Sequence, residues 1–468
     1  MNHQLSEAFH ELAEQATTTP ISGSPPSHEL WQRGRRARRR RLGASVLVVG
    51  VAALVFVGAL VPIVGDSSRT TPPPATFDES RLAVPDHIWA PSSWARTADE
   101  AHPPGPLALI ASAPRQKPWL TTTTEEWYGV SAADQTYWWL DLPGRATEEP
   151  GVLALSPDGR RVGYFLGGEP TGPRAHSDVT GFAVYDVVTG ETYRHSVPTR
   201  RGLAPYGIAW GPDSDRLVVS YGQYLTPNSS AFGPTVAWDP YSDHVEVLPM
   251  PRSWDGAGMG LGGITVCEMD VEGTVLVVEP ATGHTRRLSF SVDDARSVAR
   301  GAASEVYFNP SGTAAVMKGD LPLGEGASTS GLHAAVVKGR RLVEPRLLGV
   351  NWQLNRILGW VDDERVLTEA HPRNGYGLRY ITYDVRTGAV DPAIRHTDPP
   401  GRGLQASFAQ DLLRRPFVAG KAPPRPWHPW WGWAVVPCGL LAGLVLSFAR
   451  RSVRWWRDEQ RLLRESDR

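Results

Sequence analysis

Residues 239–246, Asp-Pro-Tyr-Ser-Asp-His-Val-Glu, gather the carboxylates of Asp239, Asp243 and Glu246 beside His244. Oxygen donors this close are what a Ca²⁺ ion takes, but the run lacks the EF-hand spacing and its central glycine. It also falls where a hairpin turn is expected. His176, His195, His284, His333 and His371 are scattered along the chain with no ligand spacing. There is no Gly-x-Ser-x-Gly elbow, no His-Glu-x-x-His, no Cys-x-x-Cys and no P-loop. The two cysteines are Cys267 and Cys438. Cys438 lies in an apolar stretch and Cys267 does not, so a disulfide between them is not expected. With no cysteine in the terminal segments, a zinc module is not expected there. The expectation is therefore no catalytic residue, no cofactor, no metal, and a protein that is not an enzyme.

The elements that would position any site are turns and short strands. Val152–Val197 reads VLALSPDGRRVGYFLG, a polar loop, then TGFAVYDVVTGETYRHSV. Ser156-Pro157-Asp158-Gly159 separates two apolar runs, and Asp186 with Gly190 separates two more. Proline presets φ, aspartate bonds back to its own backbone, and glycine accepts positive φ. Four antiparallel strands follow. The first turn recurs at 211–214, 309–312 and 361–364. The second is expected at Asp141–Gly144, Asp239–Asp243, Glu279–Gly283 and Asp384–Gly388, with a degenerate copy at Lys338-Gly339. Four strands repeating at about 40–50 residues are the signature of a propeller blade. One blade cannot bury both faces, so blades must close into a ring. The fold class is all-β, a β-propeller of about six four-stranded blades over 105–400, flanked by two transmembrane helices.

The Leu-Ser-Pro-Asp-Gly-Arg-Arg-Val run and its Tyr-Asp…Thr-Gly hairpin resemble TolB-type and WD40-like propeller repeats. The Gly-His…Trp-Asp signature of true WD40 repeats is absent. The whole chain resembles actinobacterial membrane-anchored proteins called WD40-like, a resemblance that implies a fold and no activity.

Trp119, Trp127, Trp138, Trp139, Trp210, Trp254, Trp352 and Trp360 invite a carbohydrate-binding reading, since aromatic faces stack on sugars. Trp210 and Trp360 occupy the strand position that Leu155 and Phe308 hold in other repeats, which makes them core. Trp138 and Trp139 point to opposite faces of one strand and are both buried only between packed sheets. The 256–263 run (GAGMGLGG) and residues 319–331 read as flexible insertions, plain surface loops or else binding rims.

Outside the repeats the charge is sorted. Net charge is -1, which gives no general affinity for nucleic acid, and no nucleic-acid partner is expected. Residues 1–41 carry Leu5, Ala8, Phe9, Leu12 and Ala16 at helical spacing, read as docking a cytoplasmic partner or lying idle. Seven arginines between Arg33 and Arg41 follow. Residues 42–64 are uncharged and long enough to cross a hydrocarbon core of roughly 30 Å. Residues 65–104 are expected to be an extracytoplasmic linker and 401–429 a proline-rich one. A second span, 430–449, begins in an aromatic belt and precedes a basic tail, 450–468. Arginine on both outer flanks places both termini in the cytoplasm and the propeller outside the plasma membrane. The expected partners are the lipid bilayer, an envelope ligand or a membrane protein. Three functions fit: a binding or sensing module, a lyase- or hydrolase-type enzyme working in the propeller channel, and an assembly factor for membrane proteins.

Overall fold

The computed structural model describes residues 77–93, 95–116, 123–146, 153–172, 176–226, 229–249, 258–260, 263–268, 274–290, 306–322, 328–349, 351–373, 377–397 and 406–423, with isolated helical positions between 443 and 454. The amphipathic stretch, the arginine block and the 42–64 span lie outside the described residues. So does nearly all of 430–449. Among the described residues no helix is long and apolar enough to cross a membrane.

Strands β1 (His87–Trp89) and β2 (Arg96–Ala98) open the described chain. Then come β3 (Leu107–Gln116), β4 (Thr123–Ser131) and β5 (Tyr137–Leu140). The opening repeat of the sequence reading is β6 (Leu153–Leu155), β7 (Arg161–Gly167), β8 (Val179–Asp186) and β9 (Thr192–Ser196), paired antiparallel in that order. The next sheet repeats the order with β10 (Leu203–Trp210), β11 (Leu217–Thr226), β12 (Ser229–Asp239) and β13 (His244–Val247).

An eight-stranded sheet contains two such runs. The first is β14 (Gly258–Gly260), β15 (Gly263–Glu268), β16 (Thr274–Val278) and β17 (Thr285–Phe290). The second is β18 (Val306–Phe308), β19 (Ala314–Pro322), β20 (Ser328–Lys338) and β21 (Arg341–Leu348). A short parallel pairing of β17 with β21 joins them. The last run is β22 (Trp352–Trp360), β23 (Arg365–Pro372), β24 (Arg379–Asp384) and β25 (Val390–Thr397). A two-residue strand, β26 (Ser407–Phe408), and a single helical turn, α1 (Gln410–Leu413), end it.

The strand runs explain the hydropathy. β7 and β8 are buried on both faces, which requires continuous apolar residues. β9 and β13, on the outer edges, alternate or stay exposed. The first strands of the runs meet around the centre: β26 with β6, β6 with β10, β14 with β18, β18 with β22, and β22 with β26. Separate apolar cores fill the wedges between neighbouring runs. One joins Phe182 and Val184 to Trp210, Leu217 and Trp238. Another joins Val218 and Ala237 to Ile264 and Leu276. A third joins Leu358 and Tyr380 to Leu107, Tyr128 and Phe408. The result is an all-β, propeller-like arrangement.

The turns behave as their residue types require. The Asp186 carboxylate accepts from the N–H groups of Val188 and Thr189 at 2.8 and 2.9 Å. Asp384 repeats this with Arg386 and Thr387 at 2.8 and 2.7 Å. In the first turn, Ser156 Oγ donates to Asp158 at 2.5 Å. Gly159 there has φ +74°, and a Cβ on it would sit 2.2 Å from the Leu107 carbonyl oxygen.

Several expectations are corrected. The hairpin between β4 and β5 is not Asp141–Gly144, which follows β5, but 132–136. Asp134 caps it, and Gln135 takes the φ of +64° that glycine usually supplies. That substitution hides the turn from a glycine-based reading. The expected linker 65–104 contains β1 and β2, and the expected linker 401–429 contains β26 and α1. These strands are two or three residues long, too short to leave a periodic signal. The glycine-rich 256–263 run includes β14. Residues on either side of 323–327 extend β19 and β20.

Candidate functional site

The sequence candidates are not brought together. His176 is exposed and meets the edge of Tyr224 at 4.5 Å. His195 stacks on Phe182 at 4.9 Å and bonds Asp243 at 2.8 Å. His284 lies exposed beside a hairpin, His333 is buried in β20, and His371 is half-buried in β23. Among the described residues no three His, Cys, Asp or Glu side chains are grouped to hold a metal. The acidic run 239–246 is divided among structural tasks. Asp239 caps its turn through Tyr241 and Ser242. Asp243, at φ +53°, accepts from Trp238 Nε1 at 2.9 Å. Hydrogen bonds from His195 and Trp238 hold the Asp243 carboxyl below its ordinary range. Glu246 pairs with Arg216 at 3.3 Å.

The tryptophans also divide. Trp210 and Trp360 are 1% and 5% exposed, and each donates its indole N–H to the first strand of the preceding run. The acceptors are the carbonyls of Ala154 at 3.0 Å and Tyr307 at 3.3 Å. Trp139 is buried under Arg115, whose guanidinium lies 4.9 Å from its ring. Trp138 stays half-buried beneath Arg96 at 5.6 Å.

Two assemblies emerge that depend on tertiary structure. The first joins β19 to β22 and β23 of the neighbouring run. Asn355 is the extra residue of a β-bulge, sitting where the register between β22 and β23 shifts. A bulge re-aims the side chain it carries. Asn355 Nδ2 donates to the Glu369 carboxyl of β23, and the Asn355 backbone carbonyl accepts from Lys318 Nζ at 2.8 Å. Glu369 is fully buried. A carboxylate withdrawn from water needs donors, and Asn355 supplies one. Asn355→Ala is expected to cost about 1–3 kcal/mol, because a fully buried acceptor loses a donor. Changing both Asn355 and Glu369 to apolar residues of similar volume is expected to recover most of that. Urea unfolding reads both through the midpoint, with the slope unchanged.

The second assembly is a seam where the two ends of the described chain meet. β26 adds to β3 through Ser407↔Ile110 and Phe408↔Leu109. α1 follows, and Asp411 N–H donates to the Pro157 carbonyl at 3.0 Å. β1 adds parallel to β25, pairing Ile88 with His396. Val418 N–H donates to the Val84 carbonyl at 3.1 Å, and Asp86 N–H donates to the Val418 carbonyl at 2.8 Å. Arg415 Nη1 reaches the carbonyls of Glu79 and Leu82. Residues 87–102 then run as a strap across three sheets. β1 covers β25, β2 covers β5, and Asp99 accepts from the Tyr185 hydroxyl at 2.7 Å.

No family model matches this chain, and no curated protein matches it. Solved structures do. It is 14% identical to an oligogalacturonate lyase in complex with manganese, covering 62% of this chain and 75% of that one, with a TM-score of 0.39. It is 12% identical to the β-propeller domain of the trilobed protease from Pyrococcus furiosus, covering 68% and 89%, with a TM-score of 0.37. It is 12% identical to the Pyrococcus horikoshii acylaminoacyl peptidase, covering 69% of this chain but only 50% of that one, with a TM-score of 0.37. The expectation of a protein that is not an enzyme is withdrawn on this finding. Enzymes stand among the similar structures, and a missing sequence motif excludes no activity in a ring that can build a site from distant strands. The likeness assigns no activity either, because at these identities it concerns the fold alone. At the level of the fold, the chain is propeller-like in its own strand order and contacts.

Proposed function

We propose that this protein is a membrane-tethered, extracytoplasmic recognition module, a six-bladed propeller held at both ends of its chain. The observation that supports this reading is the seam. Residues 82–90 and 415–421 enter and leave the ring side by side, tied by backbone hydrogen bonds. Beyond them the sequence continues into apolar stretches at 42–64 and 430–449, each flanked by arginine on its far side. A ring fastened at one point to two spans presents its remaining rim to an envelope ligand or to another membrane protein. The count of six treats the two runs of the eight-stranded sheet as separate blades and lets β26 complete the blade of β3, β4 and β5.

The test is topology. Reporters at the N- and C-termini are expected to be active in the cytoplasm. A cysteine at Leu225, which is 59% exposed, is expected to react with a membrane-impermeant maleimide on intact cells, with Cys267 and Cys438 changed to serine. A terminus found outside, or a Leu225→Cys labelled only after lysis, overturns the reading. A second reading, an envelope enzyme of lyase or hydrolase type, is favoured by the buried Glu369 and the half-buried Lys318, linked through Asn355. Glu369→Gln discriminates between them. A folded variant that loses turnover on an envelope polysaccharide or peptide while binding it supports the enzyme.

A further inference from the structure

We propose that β1 is an acid-released latch: protonation of His396, on the strand it covers, lifts the strap off β25 and frees the outer edge of that sheet. The latch is small. Three residue pairs hold it: His87↔Arg395, Ile88↔His396 and Trp89↔Thr397. His87 Nε2 shares a 2.6 Å hydrogen bond with Thr397 Oγ1, and its ring stacks on Trp89 at 3.8 Å with 3° between the planes. His396 lies on the other strand of the same pairing, with the edge of Tyr380 from β24 at 5.9 Å. Tyr380 in turn packs against Phe408 of β26 at 5.6 Å. His396 thus lies half-buried inside a three-residue pairing, and a charge on it there is withdrawn from water on the strand that β1 covers.

The surroundings favour the neutral latch. Burial, and secondarily the neighbouring His87, push the His396 imidazole down to about 4. The other groups that titrate or carry charge here are engaged elsewhere or turned to the edge. The Asp86 carboxylate accepts from Gly420 N–H at 2.8 Å. The Tyr137 hydroxyl accepts from Trp89 N–H at 3.0 Å. Lys421 Nζ donates to the Asp134 carbonyl at 3.1 Å. Arg395, on β25, is exposed and adds further positive charge to the strand. The sign follows from linkage. A histidine whose pKa is depressed in the latched state contributes stability above its ordinary value near 6.5. That contribution is lost as pH falls toward the latched value. The upper part of that window, between about pH 7 and about pH 5, lies above the carboxylate range and so separates from general acid unfolding.

Outer edges in this fold are sites of strand addition, as β1 on β25 and β2 on β5 demonstrate. Freeing β25 exposes a row of backbone donors and acceptors to a competing strand. The proposal concerns the ring itself and stands whether or not the chain is tethered to a membrane.

The experiment is hydrogen exchange of the full-length chain by mass spectrometry, corrected for intrinsic rates, at about pH 7 and about pH 5. Opening of the peptides spanning 87–89 and 395–397 is expected to rise about 20-fold across that interval, while β7 and β8 stay protected. His396→Phe keeps a ring against Tyr380 and removes the proton site, so the rise is expected to vanish. Exchange at the histidine C2 positions of the wild-type chain reads the same titration if the variant does not fold. A pH-independent latch, a rise that persists in His396→Phe, or an ordinary wild-type His396 titration overturns the proposal.

Discussion

Trp210→Ala is expected to lower the melting temperature by roughly 10 °C, through a loss of about 3–5 kcal/mol. Trp210 is 1% exposed at the end of β10. Its ring fills the wedge shared with Phe182, Val184 and Leu217. Its indole N–H also satisfies the Ala154 carbonyl on the neighbouring central strand. Truncation therefore opens a cavity between two sheets and leaves an acceptor unpaired. Trp210→Phe retains most of the ring and loses only the donor, so about 1 kcal/mol is expected. Trp360→Ala repeats the effect at another wedge, where the acceptor is the Tyr307 carbonyl. The two wedges share no residues, so the losses add to within about 0.5 kcal/mol. Thermal unfolding followed by near-ultraviolet circular dichroism measures all of these. A shift of less than about 2 °C for Trp210→Ala would mean that these indoles are surface groups, open to ligands.

The largest expected effect comes from stopping the chain before Ala406. That deletion removes β26, the central strand on β3, and with it Phe408, Ala409, Leu412 and Leu413, all nearly fully buried. It removes the partners of Leu109 and Ile110 and the bond from Asp411 N–H to Pro157. It also takes away Val418, which ties down the incoming strand at Val84. The ring then has an open wedge, and no folded monomer is expected by size-exclusion chromatography. A chain stopped after Pro423 keeps all of these contacts and is expected to fold. A peptide of residues 406–423, added in trans to the shorter chain, is expected to restore near-ultraviolet signal. Equal folding of the two truncations would show that the ring closes without the C-terminal strand.

The sequence by itself determined the repeating element. Ser156-Pro157-Asp158-Gly159 and the Asp186–Gly190 hairpin are legible because proline, aspartate and glycine set backbone angles within four or five residues. The continuous apolar runs of β7 and β8 are legible for the same reason: burial on both faces leaves no polar position. The equivalence of Trp210 and Trp360 with core positions follows from that register. Some local signals misled. Gln135 adopts a glycine conformation, and the glycines of 256–263 include a central strand instead of a flexible rim.

The tertiary structure alone decided how the ring is closed and where its polar interior lies. His87 meets Thr397 across 310 positions, and Arg415 meets Glu79 across 336. β1 and β26 are three and two residues long, and no periodicity exists at that length. Asn355 gains its meaning only from a bulge, because the same residue in regular register would project from the opposite face of the sheet. Backbone preference is a property of neighbours in the chain. Closure, the latch and the buried Glu369 depend on which distant strands pair, and pairing is fixed by the packing of the whole ring.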